Sequence, residues 1–295
     1  MTAHTKKTKR VKAPKASALK RKLPDMKSVL RWTLGILLAI AIVAAVWGTI
    51  LAEKYVKDVV LEQSTKEVSL ALAEPVPEWV CPSLKQKIIE QANVGLERIT
   101  AEPGNAATIA MNLNSRLVWL KDVRVKTFKD YFTIEAQYRK PAITIEYKKN
   151  RYYLATDKTV LDYIPIDTLD IPLVTGCVLT DEPEPGDSLF HEQLKAAVEL
   201  TMAFRHMDEG RGRKRKLLPL VKDIDVSRQG IAGSDRPQIL IHTTEGVDIY
   251  WGAAIGEADS YHEKSSTAKL SGLYTILEAH NSLAGRYREI DLRYE

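Results

Sequence analysis

Two His-Glu pairs are the first residues in this sequence that could do chemistry. His191-Glu192 and His262-Glu263 each begin the pattern in which a second histidine, one helical turn on, completes a zinc site. Lys195 and Ser266 stand where that second imidazole is needed, so neither pair puts two ligands on one helical face. The six histidines, at 4, 191, 206, 242, 262 and 280, are scattered and form no ligand cluster along the chain. Ser17-x-x-Lys20 has the spacing of an acylating serine and its lysine, but it sits in a lysine-rich, proline-containing tail with no apolar period to build a pocket. There is no G-x-S-x-G elbow, no phosphate-binding loop and no dinucleotide glycine run. Cys81 and Cys177 fall in different expected domains, which favours two separate thiols over a disulfide. The expectation is a chain with no catalytic residues, no metal and no cofactor.

The remaining charged features concern surfaces. Residues 1–31 hold eleven of the 43 Lys and Arg residues against one acid, Asp25, for a balance of +10. The other 264 residues hold 32 basic and 37 acidic side chains, so the basic character belongs to the tail. Trp32 to Ala52 then runs for 21 residues without a charge, about 31 Å as a helix, which matches a bilayer core. Trp32 and Trp47 lie towards its two ends, Arg31 stops it on one side and Glu53 on the other. A cleaved signal peptide has a shorter apolar stretch and a small-x-small site, which this segment lacks. The reading is an uncleaved single-pass anchor in the cytoplasmic membrane. Its basic flank stays in the cytoplasm and the rest of the chain lies outside. Nucleic-acid binding by the tail is the weaker alternative, since nothing else in the chain is suited to reading bases. The run Arg211-Gly-Arg213-Lys214-Arg215-Lys216 reads as a solvated loop, with lipid headgroups or an acidic wall polymer as the sharper reading.

Behind the anchor (32–52) and a linker (53–65), hydrophobic periodicity divides the chain in two. In 66–142 a strand over Lys66–Leu72 precedes a helix opened by Pro82 and a Ser83-x-x-Gln86 capping box, with Leu84, Ile88, Ile89 and Ala92 on one side. A second short helix spans Ala106–Ser115. Two strands follow, one carrying Val123 and Val125, the other Phe132, Ile134, Ala136 and Tyr138. The order is β-α-α-β-β. In 143–295 strands are expected at Ile143–Tyr147, Arg151–Ala155, Leu217–Val226, Gln238–Thr243 and Gly246–Trp251, the last two as a hairpin. A helix over 189–205 shows Phe190, Leu194, Ala197, Val198 and Thr201 on one face. Another from Ser266 shows Leu270, Leu273, Ile276, Leu277 and His280. An acidic, proline-rich loop covers 181–187. The chain closes on a strand over Arg288–Tyr294 with Ile290 and Leu292 inward. The fold class is α+β: one transmembrane helix, a β-α-α-β-β domain and a mixed β-rich domain with packed helices.

This order and these residues resemble the FtsQ/DivIB family of bacterial cell-division proteins. The resemblance is carried by Val118-Trp119-Leu120-x-x-Val123-x-Val125, Arg139-Lys140-Pro141-Ala142, Tyr153-Leu154-Ala155-Thr156-Asp157 with Val160-Leu161, and Ile171-Pro172-Leu173-Val174-Thr175-Gly176. Gly246-Val247-x-Ile249-x-Trp251-Gly252, a helix with Lys269-Leu270, and Ile290-Asp291-Leu292-Arg293-Tyr294 complete it. The likeness covers the whole chain, most thinly over 181–216. The glycine usual in the Asp157 hairpin is absent, and the chain ends at Glu295 without the tail some members carry.

The resemblance implies that 66–142 is a POTRA domain. It also implies a non-catalytic, membrane-anchored scaffold of the septation machinery. Its partners would be the lipid bilayer, small single-pass division proteins of the FtsB/FtsL type and other septal proteins, with no nucleic acid. It places the partner surface at Asp291, Arg293 and Tyr294. The alternative is a POTRA-bearing component of protein export or outer-membrane assembly, for which repeated POTRA units or a C-terminal barrel would speak.

Overall fold

The computed structural model describes residues 37, 40–55, 68–96, 99–100, 102–210, 215–231, 237–280, 282–284 and 287–294. The expected tail (1–31), residues 32–36, 38 and 39 of the apolar run, 56–65 of the linker, 66–67 of the first expected strand and Arg211–Lys214 lie outside them. The chain divides into two units, 1–62 and 63–295. In the first, residues 40–55 form a helix, α1, whose side chains are exposed all round, including Ile40, Val43, Val46, Trp47, Ile50 and Leu51. Among the described residues no helix is long and apolar enough to cross a membrane.

The second unit is mixed α+β. It opens with β1 (Ser69–Leu72), α2 (Pro82–Ala92), α3 (Pro103–Arg116), β2 (Leu120–Thr127) and β3 (Tyr131–Tyr138). These strands form a three-stranded sheet ordered β1-β3-β2, with β1 parallel and β2 antiparallel to β3. Leu84, Ile88 and Ala92 of α2 and Ile109 and Leu113 of α3 pack with Phe132 and Ile134. The capping box at Ser83 does not form. Cys81 stands at the N-cap with no side-chain cap, and Pro82 begins the helix one residue earlier, because its fixed φ and missing N–H suit the first turn. Ser83 therefore lies inside that turn, and Gln86 bonds Glu90 instead. Ile89 is exposed. Asp122, at φ 55°, bulges β2, so Leu120 and Val123, three apart, both face inward.

An eight-stranded sheet follows, built from β4 (Pro141–Tyr147), β5 (Asn150–Ala155), β6 (Val160–Asp162), β7 (Leu173–Thr175), β8 (Val221–Asp225), β9 (Ile239–Thr243), β10 (Asp248–Gly252) and β11 (Glu289–Asp291). Its order is β11-β10-β9-β8-β7-β4-β5-β6. Helices α4 (Glu192–Asp208) and α5 (Ser266–His280) join the apolar cluster on one face through Leu194, Ala197, Leu200, Phe204, Leu273 and Leu277. The period-two alternation of β5 sends Leu154 into that cluster and Tyr153 and Ala155 into the cluster with Trp119 and Phe132, so β5 is buried on both faces.

Two further expected helix faces need correction. Phe190 precedes α4, because Leu189 N–H donates to Lys158 C=O at 3.1 Å and His191 is the N-cap; Phe190 is 84% exposed. His280 is exposed at the end of α5, while Lys269 and Tyr274 share its buried face.

Candidate interaction edge

The sheet has two end strands, β6 and β11, and both begin as short alternating runs. Thr159 bridges Ser188, Val160 N–H donates to Asp187 C=O at 2.8 Å, and Gly186 N–H donates to Val160 C=O at 2.9 Å. The proline-rich loop read from the sequence thus covers the β6 edge at Thr159 and Val160. The corner before it is held by Asp157, which bonds Arg139 Nε at 3.0 Å and Thr159 N–H at 3.2 Å. Arg139 in turn donates to the carbonyls of Val118 and Leu120.

The β11 edge is different. It lies parallel to β10, with Ile290 opposite Ile249. Asp248 N–H donates to Arg288 C=O, and Leu292 N–H to Tyr250 C=O, so the even-numbered residues turn their backbone towards β10. Glu289 and Asp291 then face their N–H and C=O outward, and among the described residues no further strand lies beyond them. Ile290 and Leu292 are buried, as their alternation predicts.

The strand is shorter than expected, ending at Asp291 rather than Tyr294. Asp291 causes the stop. Its Oδ1 accepts Arg293 N–H at 3.0 Å, and its carboxylate takes the guanidinium through Nε (3.1 Å) and Nη2 (2.8 Å). A short side chain that satisfies the backbone two residues on turns the chain out of extended pairing. Arg293 C=O then accepts Lys264 N–H at 2.8 Å. Burial alone pushes the Asp291 carboxyl up, but the bonds and charge from Arg293 outweigh it and hold it below its usual range. The hydrogen bond to Asp291 likewise raises Arg293. The guanidinium sits 5.1 Å from the Tyr294 ring centre and 5.8 Å from that of Tyr250. Burial, followed by the Glu289 carboxylate, raises the Tyr250 phenol. Tyr294 is half exposed.

Asp291, Arg293 and Tyr294 therefore meet at one corner of an open edge. The chemistry they offer is backbone pairing, a carboxylate–guanidinium pair and two aromatic rings. An acidic partner group would meet an Arg293 already bonded by Asp291.

Beneath this corner lies a feature missed in the sequence. Lys269, fully buried, donates to Glu263 Oε2 at 2.5 Å and to Trp251 C=O at 2.8 Å, and Glu263 Oε2 also accepts Ala253 N–H at 2.8 Å. The pair ties α5 to β10 and fixes the segment from which Lys264 reaches Arg293. A signal existed: Lys269 stands four residues before Leu273 and eight before Leu277, on the apolar face of α5. Glu263 is thus the acid of the second His-Glu pair, spent on an ion pair; His191 of the first lies 3.7 Å from Cys177 Sγ. Both cysteines are free thiols, and burial raises that of Cys177. Among the described residues no group of three or more His, Cys, Asp or Glu side chains converges on a metal-sized site.

No protein-family model matches this chain, and no curated protein matches it.

Proposed function

We propose that this chain is a non-catalytic, membrane-anchored scaffold of the bacterial septation machinery, similar in build to FtsQ/DivIB proteins. The apolar run at 32–52 serves as a single span with the basic tail in the cytoplasm. The β-α-α-β-β segment serves as a POTRA domain that helps recruitment. The eight-stranded sheet holds small FtsB/FtsL-type division proteins at its β11 edge. The observation that carries this reading is the contrast between a covered β6 and an open β11, which ends on the residues singled out from the sequence.

Three features support it. An extended partner segment added at Glu289 and Asp291 gains main-chain hydrogen bonds, and the corner of Arg293 and Tyr294 reads its side chains. An apolar helix exposed on every side needs an apolar surround, which a bilayer supplies. Holding partners on one membrane patch raises their effective concentration without any bond being made or broken, so no catalytic residue is required.

The test is live-cell fluorescence microscopy of an N-terminal fusion followed through division. A band at the constriction site is the expected outcome. An even membrane outline through complete constriction would sink the septal role and favour the export reading.

A further inference from the structure

The β2–β3 hairpin ends in Phe128-Lys129-Asp130-Tyr131, closed by Phe128 N–H donating to Tyr131 C=O at 2.8 Å. The Phe128 and Tyr131 rings stack at the tip, with centres 4.8 Å apart and planes 11° apart. Both stay exposed, at 44% and 40%. Stacking fixes the two rings as one rigid apolar plate with a phenol on its rim, so little rotamer freedom remains to be lost when a surface covers it. Tyr and other amphipathic rings are favoured where hydrocarbon meets headgroups.

The position of the tip names its occupant. β1 and β3 run parallel with Ser69 opposite Tyr131, and Ser69 N–H reaches Asp130 C=O. The first strand of this unit therefore starts beside the hairpin tip, and β3 leads away from it. Thirteen residues, 56–68, separate that point from the end of α1, a tether of at most about 45 Å. Of the sheet features, the tip lies beside the start of β1, the first strand after that tether. Its charge is nearly balanced: Lys126 is paired with Glu135 at 2.6 Å, and Lys129 stands beside Asp130. Docking would then depend on the rings more than on anionic lipid.

We infer that the stacked Phe128–Tyr131 tip docks at the headgroup interface of the membrane and so sets the height and tilt of the outer unit. This rests on the reading of 32–52 as an anchor. The test uses the full chain in nanodiscs, with Cys81→Ser and Cys177→Ser and one fluorophore attached through Ala52→Cys, Lys129→Cys or Lys149→Cys. A lipid carrying a headgroup nitroxide is the quencher. Lys149, in the exposed turn after β4, serves as the remote control.

Quenching at 129 several-fold above that at 149, little changed by salt, is the expected result. It falls to the level at 149 when Phe128→Ser is added, alone or with Tyr131→Ser. Quenching at 52 but not at 129 overturns the docking while leaving the anchor. Quenching at 129 that survives the ring substitutions also overturns it, since the tether alone would then explain the nearness. No quenching at 52 removes the anchor reading, and the docking with it.

Discussion

The two ends of the eight-stranded sheet solve one physical problem in opposite ways. An end strand presents unpaired N–H and C=O groups that attract stray strands. At the start of β6 the loop residues Gly186, Asp187 and Ser188 pair with Thr159 and Val160, and the Asp157–Arg139 bond locks the corner. At β11 nothing among the described residues pairs with Glu289 and Asp291 on the outer side. Protection there comes from shortness: three residues, cut off by the Asp291–Arg293 turn. An edge left open but brief limits non-specific pairing, and on the proposed reading it is where a partner strand adds. The three-stranded sheet shows a third solution, since the bulge at Asp122 and the exposed Lys121, Arg124 and Lys126 guard the β2 edge.

The largest effect that would sharpen this contrast is loss of the buried pair beneath the open edge. Lys269→Ala leaves the Glu263 carboxylate buried without its cation, and urea unfolding should show a loss of about 3–5 kcal/mol. Lys269→Met combined with Glu263→Gln should recover much of that, because the charge is removed along with its partner. Next comes Tyr294→Glu. Quantitative co-purification of the small division proteins should fall in line with about 2–3 kcal/mol, the range of an aromatic anchor, while the melting temperature holds. A drop in melting temperature with capture intact would assign Tyr294 to folding rather than binding.

The covered edge should respond in reverse. Gly186 sits at φ +105°, and a Cβ there would lie 3.2 Å from Val118 Cγ1. Gly186→Ala should therefore destabilise by about 1–2 kcal/mol and leave partner capture unchanged. Weakened capture would break the proposed division of labour between the edges.

The smallest effect is in acid. Asp157 and Asp291 are both held below the usual carboxylate range. In each, burial opposes the shift, and hydrogen bonds outweigh it, from Thr159 and Arg139 at one and from Arg293 at the other. A lowered folded value means that the stabilisation is complete above about pH 4 and is lost as pH falls through the lowered value. Hydrogen exchange at 159–160 and at 292–293 should hold steady from neutral pH to about 4, apart from the intrinsic pH dependence, and lose protection below it. Asp291→Asn should remove the transition at 292–293 and spare the one at 159–160.

Much of the fold was legible because apolar period and element length agree locally. The β-α-α-β-β order, the β9–β10 hairpin and the inward Ile290 and Leu292 follow from spacing, and the loop at 181–187 from its prolines and acids. The sheet order was not legible. Three-residue β7 lies between β4 and β8, and so short a strand carries too little pattern to declare its neighbours. Helix starts were misplaced where two signals competed, as with Pro82 against Ser83 and with Leu189, whose backbone is claimed by Lys158. At the candidate site, the residue identities came from resemblance. The turn that makes Asp291 and Arg293 partners of each other depends on a side chain bonding the backbone two residues on, which hydrophobic periodicity does not register. Lys269 was readable from its helical position, but its acid, Glu263, is joined to it through tertiary packing.

The central claim is that a division partner adds a strand at β11 and not at β6. A photo-reactive residue in place of Tyr294 or of Ser188, in living cells, tests it most directly. A crosslink from position 294 to a small single-pass division protein, and none from 188, is expected. Equal crosslinks from both positions, or a partner captured at 188 alone, would contradict it.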